Sequence, residues 1–305
     1  MRRLYLLTAI ALFASCHSKA QDTGFYKNVE TTAALESKYQ AAGPEAVKVV
    51  EFPSDDKVIG KIVVAYPESL ETSDAKWPIV NIGNPSNTDA DGMMEMLRHL
   101  ASWGYIVIDN MDKQTGTGAS VSKTLDAFLS VSGQDGNPFH GKVDTDKIAI
   151  AGYSQGAYAV ALAATQYPNA GLYKAIYLCS CPQPQLGINF KWGEYHFADF
   201  KAPVLTFAGT GDWDSKLIAP FEVFTQTFDE IPEGIPAVQA RRSGKDHEQM
   251  GGEGDPYMTA WFEYWLKDDR EAGKAFIGEE PELRGNDRWQ DTRIKNMRMM
   301  KNRSK

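Results

Sequence analysis

One stretch constrains this chain more than any other: Lys147 to Ala164, reading K-I-A-I-A-G-Y-S-Q-G and then A-Y-A-V-A-L-A-A. Ile148 to Ala151 is a short apolar run of the kind that fills a buried strand, and from Gln155 the Ala-rich sequence has high helix propensity. Between them, Gly152-Tyr153-Ser154-Gln155-Gly156 has to turn a strand sharply into a helix. A side chain at Gly152 or Gly156 would collide with the neighbouring strand or helix, and Ser154 is held in a strained backbone conformation. Its hydroxyl then stands above the sheet, with the first amides of the helix turned towards it. A serine nucleophile needs that placement. The bare G-x-S-x-G pattern is weak, and the strand before it and helix after it give it its weight.

The remaining sequence repeats the strand–helix alternation. Ala46–Phe52 and Lys57–Pro67 read as strands about the turn Pro53-Ser54-Asp55-Asp56, and Trp77–Gly83 reads as a buried strand. Met93–Trp103 is an amphipathic helix closed by Gly104, and Tyr105–Asp109 is the next strand. Lys123–Val131 is helical, and Lys174–Cys179, Val204–Ala208 and Ala237–Arg241 are further short apolar runs. Ser215–Phe228 and Tyr257–Lys267 read as helices. This order implies an α/β fold, a mostly parallel central sheet with helices on both faces. At 305 residues and 43% hydrophobic content, the chain can build one large domain, placed at residues 46–280. Residues 16–45 read as a tether with a short docking helix. Residues 281–305, with Arg293, Lys295, Arg298, Lys301, Arg303 and Lys305, read as a polar basic tail, loosely docked.

Residues 1–15 have a basic start and an apolar core of about ten residues, too short to span a bilayer, which reads as a secretory signal. Phe13-Ala14-Ser15-Cys16 resembles the lipobox of bacterial lipoproteins, with Phe13 where Leu is usual. That resemblance implies a lipidated Cys16 and a bacterial lipoprotein of the periplasm or cell surface, with the outer membrane as its expected site. One terminal lipidated Cys would tether a soluble domain to a membrane. Cys179 and Cys181 are the other two cysteines, expected as free thiols or at most a strained bridge. The five histidines are scattered, so no metal site is expected. A net charge of −8 argues against nucleic acid as a partner. Thr115-Gly116-Thr117-Gly118-Ala119-Ser120 lacks dinucleotide-binding spacing and reads as a helix-initiating loop, so no cofactor is expected.

A nucleophile needs a base, an acid to orient that base, and amides for a developing oxyanion. In open α/β sheets such groups sit on loops at the carboxyl ends of strands. Two such ends carry candidates, Phe207-Ala208-Gly209-Thr210-Gly211-Asp212-Trp213-Asp214 and Arg241 to Gln249. His247 is the expected base. Asp212, directly after the Gly209-Thr210-Gly211 turn, is the expected acid, with Asp214 the alternative. The order Ser, Asp, His is the order of α/β-hydrolases. The amide of Gln155 is one expected oxyanion donor. Pro85 has no N–H, so the loop Gly83–Asn87 leaves Ser86 as the second, with Asn84 the alternative.

With these residues in place, the chain resembles the α/β-hydrolase superfamily, and within it the bacterial cutinase-like, dienelactone-hydrolase-like and chlorophyllase-like esterases. The resemblance covers about Ala46 to Gly278 and rests on Leu100–Ile108, Val143–Gly156, Thr259–Asp269 and Ala275–Gly278. It implies a serine hydrolase acting on carboxylic esters through an acyl-enzyme. Polyester-degrading members typically carry an aromatic residue in the oxyanion loop and a Trp just after the sixth strand. Those positions are Ser86 and Cys181 here, and the usual C-terminal disulfide is absent. The expected substrates are therefore small-molecule or glycan esters with small or aliphatic acyl groups. Pro182–Phe200, with Trp192, Tyr195, His196 and Phe197, is either a replacement aromatic wall or core packing. The same triad serves peptidases and other acyl hydrolases, and the fold also serves surface-tethered binding proteins without catalysis.

Overall fold

The structure is a computed structural model that describes residues 28–297; Cys16 and the chain from Arg298 lie outside the described residues. The strands are β1 (Val47–Pro53), β2 (Lys61–Pro67), β3 (Trp77–Gly83), β4 (Ile106–Asn110), β5 (Val143–Tyr153), β6 (Tyr173–Cys179), β7 (Val204–Gly209), β8 (Ala237–Arg242) and β9 (Trp289–Lys295). They form one nine-stranded sheet in the order β1-β2-β4-β3-β5-β6-β7-β8-β9. Every pair from β4 across to β8 is parallel. β2 and β9 run against the rest. The mostly parallel α/β architecture is therefore present. The strand order reverses between β3 and β5, and sheets of this kind bind ligands outside the carboxyl ends of the strands at such a point.

The helices are α1 (Ala34–Gln40), α2 (Met94–Ser102), α3 (Ala119–Ser132), α4 (Gln155–Gln166), α5 (Pro184–Asn189), α6 (Phe221–Glu230), α7 (His247–Glu253) and α8 (Asp255–Lys267), with further helical turns at Arg270–Gly273 and Glu282–Gly285. Alternate strand residues feed two core layers. Ile148 and Ile150 join Val121, Leu125 and Val160 in the layer that holds α3 and α4. Ala149, Ala151 and Ala175 join Leu97, Tyr257 and Trp261 in the layer that holds α2 and α8. Small strand residues thus face the bulky aromatics of α8, which fills the layer without overpacking. Gly104 follows α2 at φ +88, and its amide bonds the Ala101 carbonyl at 2.9 Å, the left-handed stop that its position implied.

Two sequence-based boundaries move for local reasons. The second strand starts at Lys61 because Gly60, at φ +67, closes a turn that begins at Asp56. The expected helix Ser215–Phe228 is split by Pro220 into one π-helical turn, Asp214–Ile218, and α6.

A larger correction concerns the expected basic tail, which packs on the expected short helix, α1. Glu282 accepts hydrogen bonds from the Leu35 and Glu36 amides at 2.6 and 2.9 Å and so caps α1. Buried Glu36 takes Arg242 Nη1 at 3.1 Å, Asn286 Nδ2 at 2.7 Å and Trp289 Nε1 at 2.7 Å. Arg242 also bonds Glu253 at 2.8 Å. The basic residues of β9 serve α6: Lys295 Nζ donates to the Phe228 and Asp229 carbonyls at 2.9 and 3.0 Å. Residues 281–297 are therefore integral to the domain. Their polar composition belongs to an edge strand with one wet face and to residues that stop a helix. Deleting residues 281–305 uncovers a buried ion pair and is expected to lower unfolding stability by about 3 kcal/mol or more. A urea midpoint unchanged by the deletion would reinstate a loose tail.

Candidate active site

Ser154 sits between β5 and α4 at φ 56 and ψ −128, a conformation that non-glycine residues rarely adopt. It is held there from both sides. Its amide donates to the Cys179 carbonyl at 2.9 Å, and its own carbonyl accepts from Ala157 at 2.9 Å. A Cβ at Gly152 would lie 2.3 Å from the Gly156 carbonyl oxygen, and one at Gly156 would lie 1.9 Å from the Gly83 carbonyl oxygen. Both glycines are thus required by the close approach of β3, β5 and α4, as their spacing implied.

Ser154 Oγ lies 2.9 Å from His247 Nε2. On the far side of the ring, His247 Nδ1 lies 2.7 Å from Asp214 Oδ1. The carboxylate takes the Nδ1–H, so Nε2 is the free acceptor that faces the serine hydroxyl. The structure brings the expected Ser154 and His247 together, but the carboxylate against the imidazole is that of Asp214, not the expected Asp212. Asp212 has a side chain 81% exposed and pairs with Lys216 at 2.7 Å. The chain is already helical at Asp212 and Trp213, and two helical residues diverge by about 200° around the axis. When Asp214 points inward, Asp212 points to solvent.

Asp214 is fully buried, and its Oδ2 accepts from Ser180 Oγ and from the Gly209 amide, both at 2.6 Å. Asp246 then locks the acid turn to the base. Its carboxylate accepts from the Asp214 amide at 2.9 Å, the His247 amide at 2.8 Å and the Trp213 amide at 3.1 Å. The bond from the Asp214 amide, with those from His247 and Trp213, holds the Asp246 carboxyl below its usual range. Asp246 also starts α7 through a capping box with Gln249. Tyr153 stacks on the imidazole at 5.3 Å and donates its Oη to the His247 carbonyl at 2.7 Å. Trp213 packs on the same ring at 4.8 Å.

Of the expected oxyanion donors, Gln155 directly follows the serine, and the loop that carries Ser86 begins at Gly83 and Asn84, packed against Gly156. Gln155 is the first residue of α4, where an amide has no intrahelical acceptor. In the loop after β3, Asn87 donates to the Lys113 carbonyl at 3.0 Å and Thr88 to the Pro85 carbonyl at 3.2 Å. Those two amides are engaged, which leaves Ser86, exposed, and Asn84, buried. The Asn84 side chain ties this loop to the one after β4, donating to the Asn110 and Asp112 carbonyls at 3.0 and 3.2 Å.

The rival titratable groups lie elsewhere. His99 is buried between α2 and α8, 3.2 Å from Thr259 Oγ1, and burial pushes its pKa down to about 4. His140 and His196 are exposed beside Asp135 and Glu194. Cys179 and Cys181 are buried free thiols, and burial raises both, Cys181 to about 12. That suppresses the thiolate either would need as a nucleophile. Among the described residues, no group of three or more His, Cys, Asp or Glu is arranged to hold a metal ion, and no helix is long and apolar enough to cross a membrane.

Sequence reasoning missed Ser180, Asp246 and Trp213. Asp246 and Trp213 adjoin His247 and Asp214 in the chain, and a D-H-x-Q capping pattern was readable at 246–249. Ser180 carries no sequence signal beyond its place at a strand end. In the segment Pro182–Phe200, half-buried Trp192 packs against the core at Tyr158. Tyr195 and Phe197 are buried in the core, while Phe190 is 62% exposed and stacks on half-buried Trp192 at 4.9 Å.

Comparison with protein-family models finds no match, and comparison with curated proteins finds none either.

The Nδ1 proton shared with Asp214 should appear as a far-downfield proton NMR resonance. Asp214→Asn is expected to abolish it and Asp212→Asn to retain it. The reverse pattern would reassign the acid to Asp212.

Proposed function

We propose that this chain is a serine hydrolase of the α/β-hydrolase fold, cleaving carboxylic esters with small or aliphatic acyl groups. The observation that carries this reading is the unbroken line from Ser154 Oγ to His247 Nε2 at 2.9 Å and from His247 Nδ1 to Asp214 Oδ1 at 2.7 Å. Two further features support it. The serine stands on a strand-to-helix turn in a strained conformation, and the acid and base follow later strands in the order Ser, Asp, His. The loop after β3 reaches the start of α4, where an oxyanion hole of this kind draws its second amide.

In this mechanism His247 Nε2 takes the Ser154 hydroxyl proton as Oγ bonds to the ester carbonyl carbon. The carbonyl oxygen becomes an oxyanion, bound by the Gln155 amide and by an amide of the loop after β3, Ser86 in our assignment. As the C–O bond to the alcohol breaks, His247 returns the proton to the leaving oxygen. Water then attacks the acyl-enzyme, giving one proton to His247, and collapse releases the acid and restores the Ser154 hydroxyl. Asp214 fixes the imidazole tautomer and stabilises the imidazolium. These steps need no metal or organic cofactor. A lipidated Cys16, proposed from the lipobox resemblance, would hold this domain at a bacterial membrane surface.

The test is hydrolysis of p-nitrophenyl esters, acetate through decanoate, by protein lacking residues 1–16. The rate is expected to be highest on short chains. Ser154→Ala should lower kcat by at least about 10⁴-fold with unfolding stability retained. Turnover that survives this substitution would show that Ser154 is not the nucleophile.

A further inference from the structure

We infer that Trp213 and the apolar ledge beside it select the alcohol half of the ester, and that the preferred alcohols are flat and apolar, above all aromatic. This inference rests on the Ser154–His247 reading above. Trp213 is 43% exposed although its indole packs 4.8 Å from the His247 ring. An indole that packs on the imidazole and keeps much of its surface open offers a large apolar area to a group bound beside that ring. His247 Nε2 is the atom that must meet the leaving oxygen. The imidazole is a small ring, so an alcohol held at Nε2 has its substituent within reach of the indole. The acyl half stays with Ser154 and the amides of Gln155 and the loop after β3.

Leu217 lies four residues after Trp213 and therefore on the same helical face, and it is 48% exposed. Asp212 and Lys216 pair with each other one position around, which leaves the Trp213–Leu217 stripe uncharged. Gln183 joins this turn to the next segment, donating Nε2 to the Leu217 carbonyl and its amide to the Ile218 carbonyl, both at 2.7 Å. That segment presents Ile188 and Phe190, 44% and 62% exposed. Four of the six exposed large apolar side chains among the described residues thus fall on two segments joined by Gln183, one of which carries Asp214, where single scattered exposure is the usual pattern. The side towards the loop after β3 is polar by contrast. There Gln155 Nε2 reaches Gln114 Oε1 at 3.4 Å, and Gln114 Nε2 donates to Asn87 Oδ1 at 3.2 Å. An aromatic wall absent at Ser86 and Cys181 is thus supplied from the acid-bearing turn and the 183–192 segment.

The experiment compares kcat/KM on benzyl acetate, ethyl acetate and a 6-O-acetyl glucoside, which share the acyl group and differ in the alcohol. Trp213→Ala is expected to lower the benzyl-to-ethyl ratio about tenfold. Leu217→Asn should lower it a few-fold and Trp213→Phe should keep most of it. The ratio isolates selectivity, because damage transmitted through His247 lowers both rates alike. If all three variants keep the wild-type ratio while Ser154→Ala is dead on every substrate, the hydrolase reading stands and the ledge assignment falls. If Trp213→Ala harms the acetyl glucoside more than benzyl acetate, the ledge is a sugar platform and the aromatic assignment is overturned. Activity that survives Ser154→Ala refutes the catalytic reading itself, an outcome separate from both.

Discussion

The site around Ser154 depends on how closely the loops after β7 and β8 approach each other. A Cβ at Gly209 would lie 2.4 Å from the Lys245 carbonyl oxygen, and one at Gly211 would lie 2.3 Å from Asp246 Cβ. With both positions bare, the amides of Thr210 and Gly211 donate to the Lys245 carbonyl at 2.8 Å. Asp246 then gathers the amides of Trp213, Asp214 and His247 on one carboxylate. The acid and the base are thus fixed by a single packed unit rather than by two independent loops. Side chains that must hold a catalytic geometry need this kind of support.

The strain at Ser154 is offset by the same economy of space. A non-glycine residue at φ 56 costs of order 1–3 kcal/mol and persists only where its surroundings over-determine it. Here β6 supplies the Cys179 carbonyl to the Ser154 amide, and α4 uses the Ser154 carbonyl to start its first turn. β6 also delivers Ser180 to the acid, since Ser180 Oγ donates to Asp214 Oδ2. Strand ends β5, β6, β7 and β8 therefore contribute to one connected cluster at the carboxyl edge of the sheet. Trp213 packs on the imidazole at the exposed edge of this cluster, while Asp214, next to it in the chain, is buried within it.

Much of this was legible in the sequence because the relevant signals are local. The glycines at 152 and 156, the apolar run from Ile148 and the Ala-rich helix fix the turn that raises Ser154. The position of His247 after the Ala237–Arg241 run was equally readable. The choice between Asp212 and Asp214 was not, because it depends on the chain becoming helical at Asp212, three residues before the expected helix start at Ser215. The polar stretch after residue 280 misled for a related reason. Glu282, Asn286 and Trp289 find their partners in α1 and β8, far away in the chain, and no local pattern announces such pairings. The exposure of Trp213 is likewise a tertiary property, since burial of its neighbour Asp214 sets which way it faces.

The central claim is that Ser154 is an activated nucleophile, and active-site labelling tests it most directly. A fluorophosphonate reacts with serines whose hydroxyl is deprotonated by a neighbouring base, whatever the natural substrate. Mass spectrometry of the treated protein is expected to find one adduct, on Ser154, and none after His247→Ala. An unmodified Ser154 in folded protein, or an adduct that persists without His247, would contradict the account.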